Sequence, residues 1–130
     1  EVINVKKNPN VVEIVKQLTH GQGVNAAVDY VGHGSTFQIA YDSLATSGRA
    51  VIVGVGKGDI SVNPRNLMLT EKIVTGSRHS TRTELIETME VMARGLVKPV
   101  VGMTKPFTEI ESIFDAIKDE TLLGRGSLTY

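Results

Sequence analysis

The glycine-rich run Gly54-Val55-Gly56-Lys57-Gly58 has the composition of a phosphate-binding loop. Such a loop works when it follows a strand and opens a helix, because helix N-terminal N–H groups then face the anion. Here a strand-like run precedes it, but Asp59-Ile60-Ser61-Val62 does not continue as a helix. That makes it a poor phosphate loop. His20, His33 and His79 form no HxH or HxxxH pair, so a metal or general-base role is not expected of them. Asp29, His33 and Ser35 are close in sequence, but a catalytic triad is a constellation in space, and nothing in their spacing positions one. The chain has no cysteine, which excludes disulfides, thiolate zinc sites and cysteine nucleophiles. No catalytic residue and no metal ligand is therefore expected. Met89 and Met92 read as helix-face residues.

The elements that must carry any site alternate between strand and helix. Val2–Val5 reads as a short strand. Asn8-Pro9 reads as a helix start, with Asn as cap and Pro in the first turn. Val11, Val12, Ile14, Val15 and Leu18 give that helix its apolar stripe, and Gly21 and Gly23 stop it. A second strand is expected over Ala26–Val31, followed by a turn. A helix that Ser35 can cap comes next, with Phe37, Ala40, Tyr41 and Leu44 on its buried face and its end at Gly48. The unbroken apolar run Ala50–Val53 predicts a strand buried on both faces. Ile60-Ser61-Val62 is a short extended piece, and Asn63-Pro64 opens a short helix. Lys72–Gly76 is a fourth strand. Thr81 and Glu84 have capping-box spacing before a helix ending at Gly95, and Thr108 with Glu111 repeats that spacing before another. Val100–Met103 and Arg125–Tyr130 are extended. This alternation predicts an α/β protein with a parallel sheet.

Composition narrows the partners. Fourteen basic and fourteen acidic residues balance, so there is no electrostatic case for nucleic acid or an anionic membrane. No apolar run is long enough to span a membrane, and no signal peptide is visible. A cytoplasmic chain is the expectation. The chain begins at Glu1, already in a strand-like run, which hints at truncation or processing.

Several stretches, taken in order, carry a resemblance. They are the segment Leu18–Gly32, then Gly48-Arg49-Ala50-Val51-Ile52-Val53-Gly54-Val55-Gly56, then Ile73–Ser77 with Ser80–Leu85. Gly95–Val101 and Gly124-Arg125-Gly126 complete the set. Together they resemble the C-terminal part of a zinc-type medium-chain alcohol dehydrogenase. The resemblance implies a partial Rossmann-type parallel sheet with flanking helices, plus a C-terminal strand–helix–strand segment. Residues 1–77 would be the second half of a dinucleotide-binding domain and 78–130 the C-terminal segment of the catalytic domain. It implies that Gly54 and Val55 line the nicotinamide of NAD (or NADP). Val31 and Gly32 would face the ribose side, and Gly76 and Ser77 the carboxamide. Arg125 would reach the pyrophosphate. His79-Ser80 departs from the glycine common before the family's Thr-Arg pair.

The implied parent moves hydride between an alcohol and an aldehyde or ketone, with zinc held outside this chain. The glycine fingerprint and zinc ligands of that family lie upstream, so this chain alone is expected to be inactive. A non-catalytic nucleotide-contact or assembly module is the alternative. The resemblance also implies a homo-oligomer in which Ile60, Ser61 and Val62 pair across a two-fold axis. In the family's sheet order, Val2–Val5 would be third and Ala26–Val31 fourth. With the intervening strands missing, Val2–Val5 is expected to pair parallel beside Ala26–Val31.

Overall fold

The computed structural model describes residues 1–130 as two compact units, Glu1–His79 and Ser80–Tyr130. The first unit contains helix α1 (Val11–Leu18), strand β1 (Val24–Asp29), helix α2 (Gly34–Asp42), strand β2 (Leu44–Ile52), helix α3 (Pro64–Thr70) and strand β3 (Ile73–Gly76). Its three strands form a parallel sheet in the order β1-β2-β3. The α/β class with a parallel sheet is as the alternation implied, and the flanking helices are as the resemblance implied.

Ala27, Ala50 and Val74 face one another across the three strands. They lie on the sheet face that meets Phe37, Tyr41 and Leu44, joined by Val24, Ile52, Val62 and Leu67. Phe37 is 1% exposed, and its ring stacks on Tyr41 with centroids 5.9 Å apart. The Tyr41 hydroxyl reaches Asn66 Oδ1 at 3.2 Å, and Lys72 Nζ donates to the Tyr41 carbonyl at 3.1 Å. These bonds tie α2 to α3 and to the residue that precedes β3. On the opposite face, Val28 and Ile73 stay exposed and Val51 is only half-buried. β2 is thus buried on one face within this unit, not on both.

Several local expectations are corrected. Val2–Val5 forms no strand and pairs with nothing in a sheet. The Asn4 side chain instead accepts from the N–H groups of Lys6 and Lys7, and the Asn4 carbonyl accepts from Lys7 and Asn8. A turn that satisfies its own backbone removes the need for a ladder. Asn8 is drawn into that turn through its side chain, so α1 starts later, with Asn10 as its N-cap residue. His33, not Ser35, stands at the N-cap of α2. That helix ends at Asp42 rather than Gly48, where Ser43 Oγ bonds back to the Ile39 carbonyl. Leu44 keeps its buried place but belongs to β2. The register then jumps. Val24 faces Leu44 while Ala26 faces Arg49, and Ser47 in between has φ of 58°. Ile60-Ser61-Val62 forms no strand within the chain, and Val62 packs against the core.

The second unit holds helix α4 (Arg82–Ala93), strand β4 (Val101–Pro106), a 3-10 turn, helix α5 (Ile110–Lys118) and strand β5 (Arg125–Thr129). β4 and β5 pair in parallel, with Ile113 and Ala116 of α5 buried. The box at Thr81 and Glu84 forms as its spacing implied. The one proposed at Thr108 does not, because Phe107–Glu109 winds as the 3-10 turn and α5 begins only at Ile110. No helix is long and apolar enough to cross a membrane.

Candidate functional site

Parallel register brings three strand ends side by side: Asp29 of β1 faces Ile52 of β2, which faces Gly76 of β3. The crevice outside the carboxyl ends of such strands is where open α/β sheets take ligands. Main-chain bonds extend the alignment past the strands. The Asp29 carbonyl accepts from Val53 N at 2.9 Å and Gly54 N at 3.0 Å, and Ser77 N donates to the Ile52 carbonyl at 2.8 Å. Val31, Gly32, Gly54, Val55, Gly76 and Ser77 therefore share one edge of the first unit.

Two turns on that edge touch backbone to backbone. A Cβ built on Gly54 would overlap main-chain atoms of Tyr30, Val31 and Gly32. One on Gly32, whose φ is 71°, would overlap Gly54, and one on Gly56 would reach the Gly32 carbonyl and, at 2.9 Å, His33 N. Only glycine lets main chains approach this closely. Gly76 differs, since nothing but the Ile52 carbonyl, at 4.0 Å, stands near where its Cβ would be. Val31 is exposed and Val55 is 99% exposed, so apolar surface lines the open side.

Asp29, only 6% exposed, organises the first turn. Its Oδ1 accepts from Val31 N at 2.9 Å and Gly32 N at 3.0 Å. The Thr36 hydroxyl, in the first turn of α2, lies 3.0 Å from Oδ2. Burial raises the carboxyl's pKa. The bonds from Gly32, Val31 and Thr36, with the nearby His33, outweigh that and hold it below its ordinary value. Asp29 and Thr36 are absent from the residues the sequence singles out for the site. The signal was an Asp at a strand end before a glycine turn, a pattern that folds as an Asx-turn. Tyr30, an exposed aromatic on the same edge, was also passed over.

Arg125 belongs to the second unit. It opens β5 with an exposed side chain, and its N–H donates to the Val100 carbonyl at 2.8 Å. For zinc the donor set does not fit: there is no cysteine, and no three His, Asp or Glu side chains gather.

Comparison with known proteins decides the family. Residues 1–94 match the family described as zinc-binding dehydrogenase. The chain belongs to that family. An alcohol dehydrogenase of Geobacillus stearothermophilus is 31% identical over 103 residues, covering 79% of this chain and 30% of the relative. An NAD-dependent alcohol dehydrogenase of Saccharolobus solfataricus is 26% identical over 124 residues, covering 95% and 35%. Among solved structures, the alcohol dehydrogenase of the archaeon Aeropyrum pernix is similar across the whole chain, with a TM-score of 0.88 and 29% identity, over 37% of its own length. The chain thus spans about a third of the length of the relatives it matches.

Proposed function

We propose that this chain is the C-terminal part of a zinc-dependent, NAD(P)-linked alcohol dehydrogenase, and that it supplies one wall of the nicotinamide site. In this reading residues 1–77 are the second half of the dinucleotide-binding domain and residues 78–130 return to the catalytic domain. The observation that carries the reading is the strand-end edge. Val31 and Gly32, Gly54 and Val55, and Gly76 and Ser77 sit on adjacent parallel strand ends, with apolar side chains exposed and open space before Gly76. An exposed apolar wall beside free backbone suits a flat aromatic ring carrying a polar carboxamide. NAD is the default over NADP, and the cytoplasm is the proposed compartment.

The cofactor brings the hydride chemistry; the residues of this chain orient it and exclude water on one side. Arg125 is proposed to meet the pyrophosphate, because a guanidinium fork matches phosphate oxygens. The zinc that polarises the alcohol oxygen is assigned to residues outside this chain. Positioning a substrate against a cofactor supplies about 7–11 kcal/mol of a barrier, and one wall cannot do that alone.

The test is calorimetric titration of the purified chain with NAD⁺ and NADH, paired with an assay on simple alcohols with added zinc. The expected outcome is weak or no cofactor binding and no turnover by the chain itself. Turnover is expected once the rest of an enzyme of the relatives' length is supplied. Micromolar binding or zinc-dependent turnover by the chain alone overturns the division of labour. Failure of the completed enzyme to bind cofactor favours the non-catalytic module.

A further inference from the structure

We propose that Asp29 is a positioning residue for the cofactor-facing edge, holding the turn of Val31 and Gly32 and, through it, the turn of Gly54 and Val55. The inference rests on the reading of that edge as a nicotinamide wall. It names a residue that touches no cofactor and acts through those that do.

Three observations carry it. The carboxylate is buried, yet all its bonds go to one turn and the helix behind it: Val31 N, Gly32 N and Thr36 Oγ1. A buried acceptor bonded this way fixes the backbone it serves, because releasing it strands a desolvated group. The turn it fixes is half of the glycine contact, since Gly32 meets Gly54 and Gly56 main chain to main chain. The Asp29 carbonyl is also the acceptor for Val53 and Gly54, so both turns hang from one residue. Displacing Gly32 leaves the second turn without the surface it packs on.

Acceptor geometry at Oδ1 is what holds the turn. Asparagine would keep a carbonyl oxygen where Oδ1 receives Val31 and Gly32. Its amide would face Thr36 Oγ1, whose hydrogen can turn instead to the His33 carbonyl, 2.9 Å away. Asp29→Asn is therefore the conservative variant and Asp29→Ala the disruptive one, while Thr36→Val removes the outer contact together with the hydroxyl's bonds to His33 N and O.

The experiment compares these three variants in the full-length enzyme that contains this chain. Amide hydrogen exchange is followed in peptides covering 30–34 and 53–58, alongside KM for NAD⁺ and kcat. For Asp29→Ala, exchange is expected to rise more than tenfold in the first peptide and several-fold in the second, with peptides of the second unit unchanged. KM for NAD⁺ is expected to rise at least tenfold, with a smaller change in kcat. Asp29→Asn should restore both readouts to within about threefold. If Asp29→Ala does not fold, Thr36→Val should still raise exchange in 30–34, read at the Val31 and Gly32 amides, which bond Asp29 and not Thr36. Unchanged exchange in that peptide overturns the inference, as does a rise confined to 30–34 in Asp29→Ala, or an Asn variant as poor as Ala. Loosening of both turns with KM unmoved keeps Asp29 as the link between the turns and overturns the cofactor wall instead.

Discussion

Single atoms separate the glycines of the candidate edge. Gly54 has no room for a Cβ, because the main chain of Tyr30, Val31 and Gly32 already fills that space. Gly54→Ala is expected to force the turns apart and to cost about 1–3 kcal/mol, as overpacking does. A lowered urea midpoint would register it. Gly76→Ala places its methyl in open space and should leave stability within about 0.5 kcal/mol, the range of an uncrowded surface change. If the nicotinamide carboxamide meets Gly76, the same variant weakens cofactor binding in the complete enzyme. The pair thus separates a glycine needed by the fold from one needed by a ligand.

Asp29 makes a second prediction at this scale. Its folded pKa lies below the ordinary value, so its stabilising effect is fully present above about pH 4, the unfolded carboxylate range. It is lost as pH falls through the lower folded value. Between pH 5 and pH 2, wild type should lose more stability than Asp29→Asn, measured by urea midpoints. An identical acid slope in both proteins rules the effect out.

At the scale of elements, legibility followed how local each signal was. The Asn63 side chain accepts from Asn66 N at 3.1 Å with Pro64 in the first turn, and Thr81 and Glu84 close their box, both as their spacing implied. Where such a cap forms, its bonds lie within four residues, but the same spacing at Thr108 and Glu111 was overridden by the 3-10 turn, and Asn8 was drawn into the turn at Asn4. Asn63→Ala should cost about 1 kcal/mol, the usual worth of an N-cap, seen as a lower thermal midpoint. Val2–Val5 failed because a strand exists only where a neighbour receives its bonds, and Asn4 offered a nearer partner. Gly48 misled for a related reason. It lies buried within β2, where a Cβ would crowd the Ala45 and Val24 carbonyls, and no helix stops there. At the edge itself, the glycine positions were legible, but the fact that those glycines face each other depends on strand order. So does the place of Asp29 between them.

For the molecule as a whole, the uncovered side of the first sheet matters most. Parallel sheets are normally clothed on both faces, yet within this unit Val28 and Ile73 face outward and β1 and β3 have free edges. This supports reading the chain as part of a larger protein. The segment at Ile60 to Val62 is the other surface proposed for association. Because Val62 packs in the core, Ile60 and Ser61 are the positions that test it without disturbing the fold. Ile60→Asp is expected to shift the complete enzyme to a smaller oligomer by sedimentation while leaving its thermal midpoint measured at low concentration unchanged. An unaltered sedimentation profile removes this segment from the interface.

The contact among Gly32, Gly54 and Gly56 also constrains how this sequence can change. Each position is closed to a side chain by the main chain of the opposite turn, so the costs of substitution do not add. Once an alanine at one position has pushed the turns apart, an alanine across from it meets an obstacle already moved. The double variant Gly32→Ala/Gly54→Ala should then be less harmful than the sum of its parts. Along this edge the first step is the steep one, and a lineage that survives it would find Gly54 and Gly56 easier to change, while Gly32 keeps the cost of its φ of 71°.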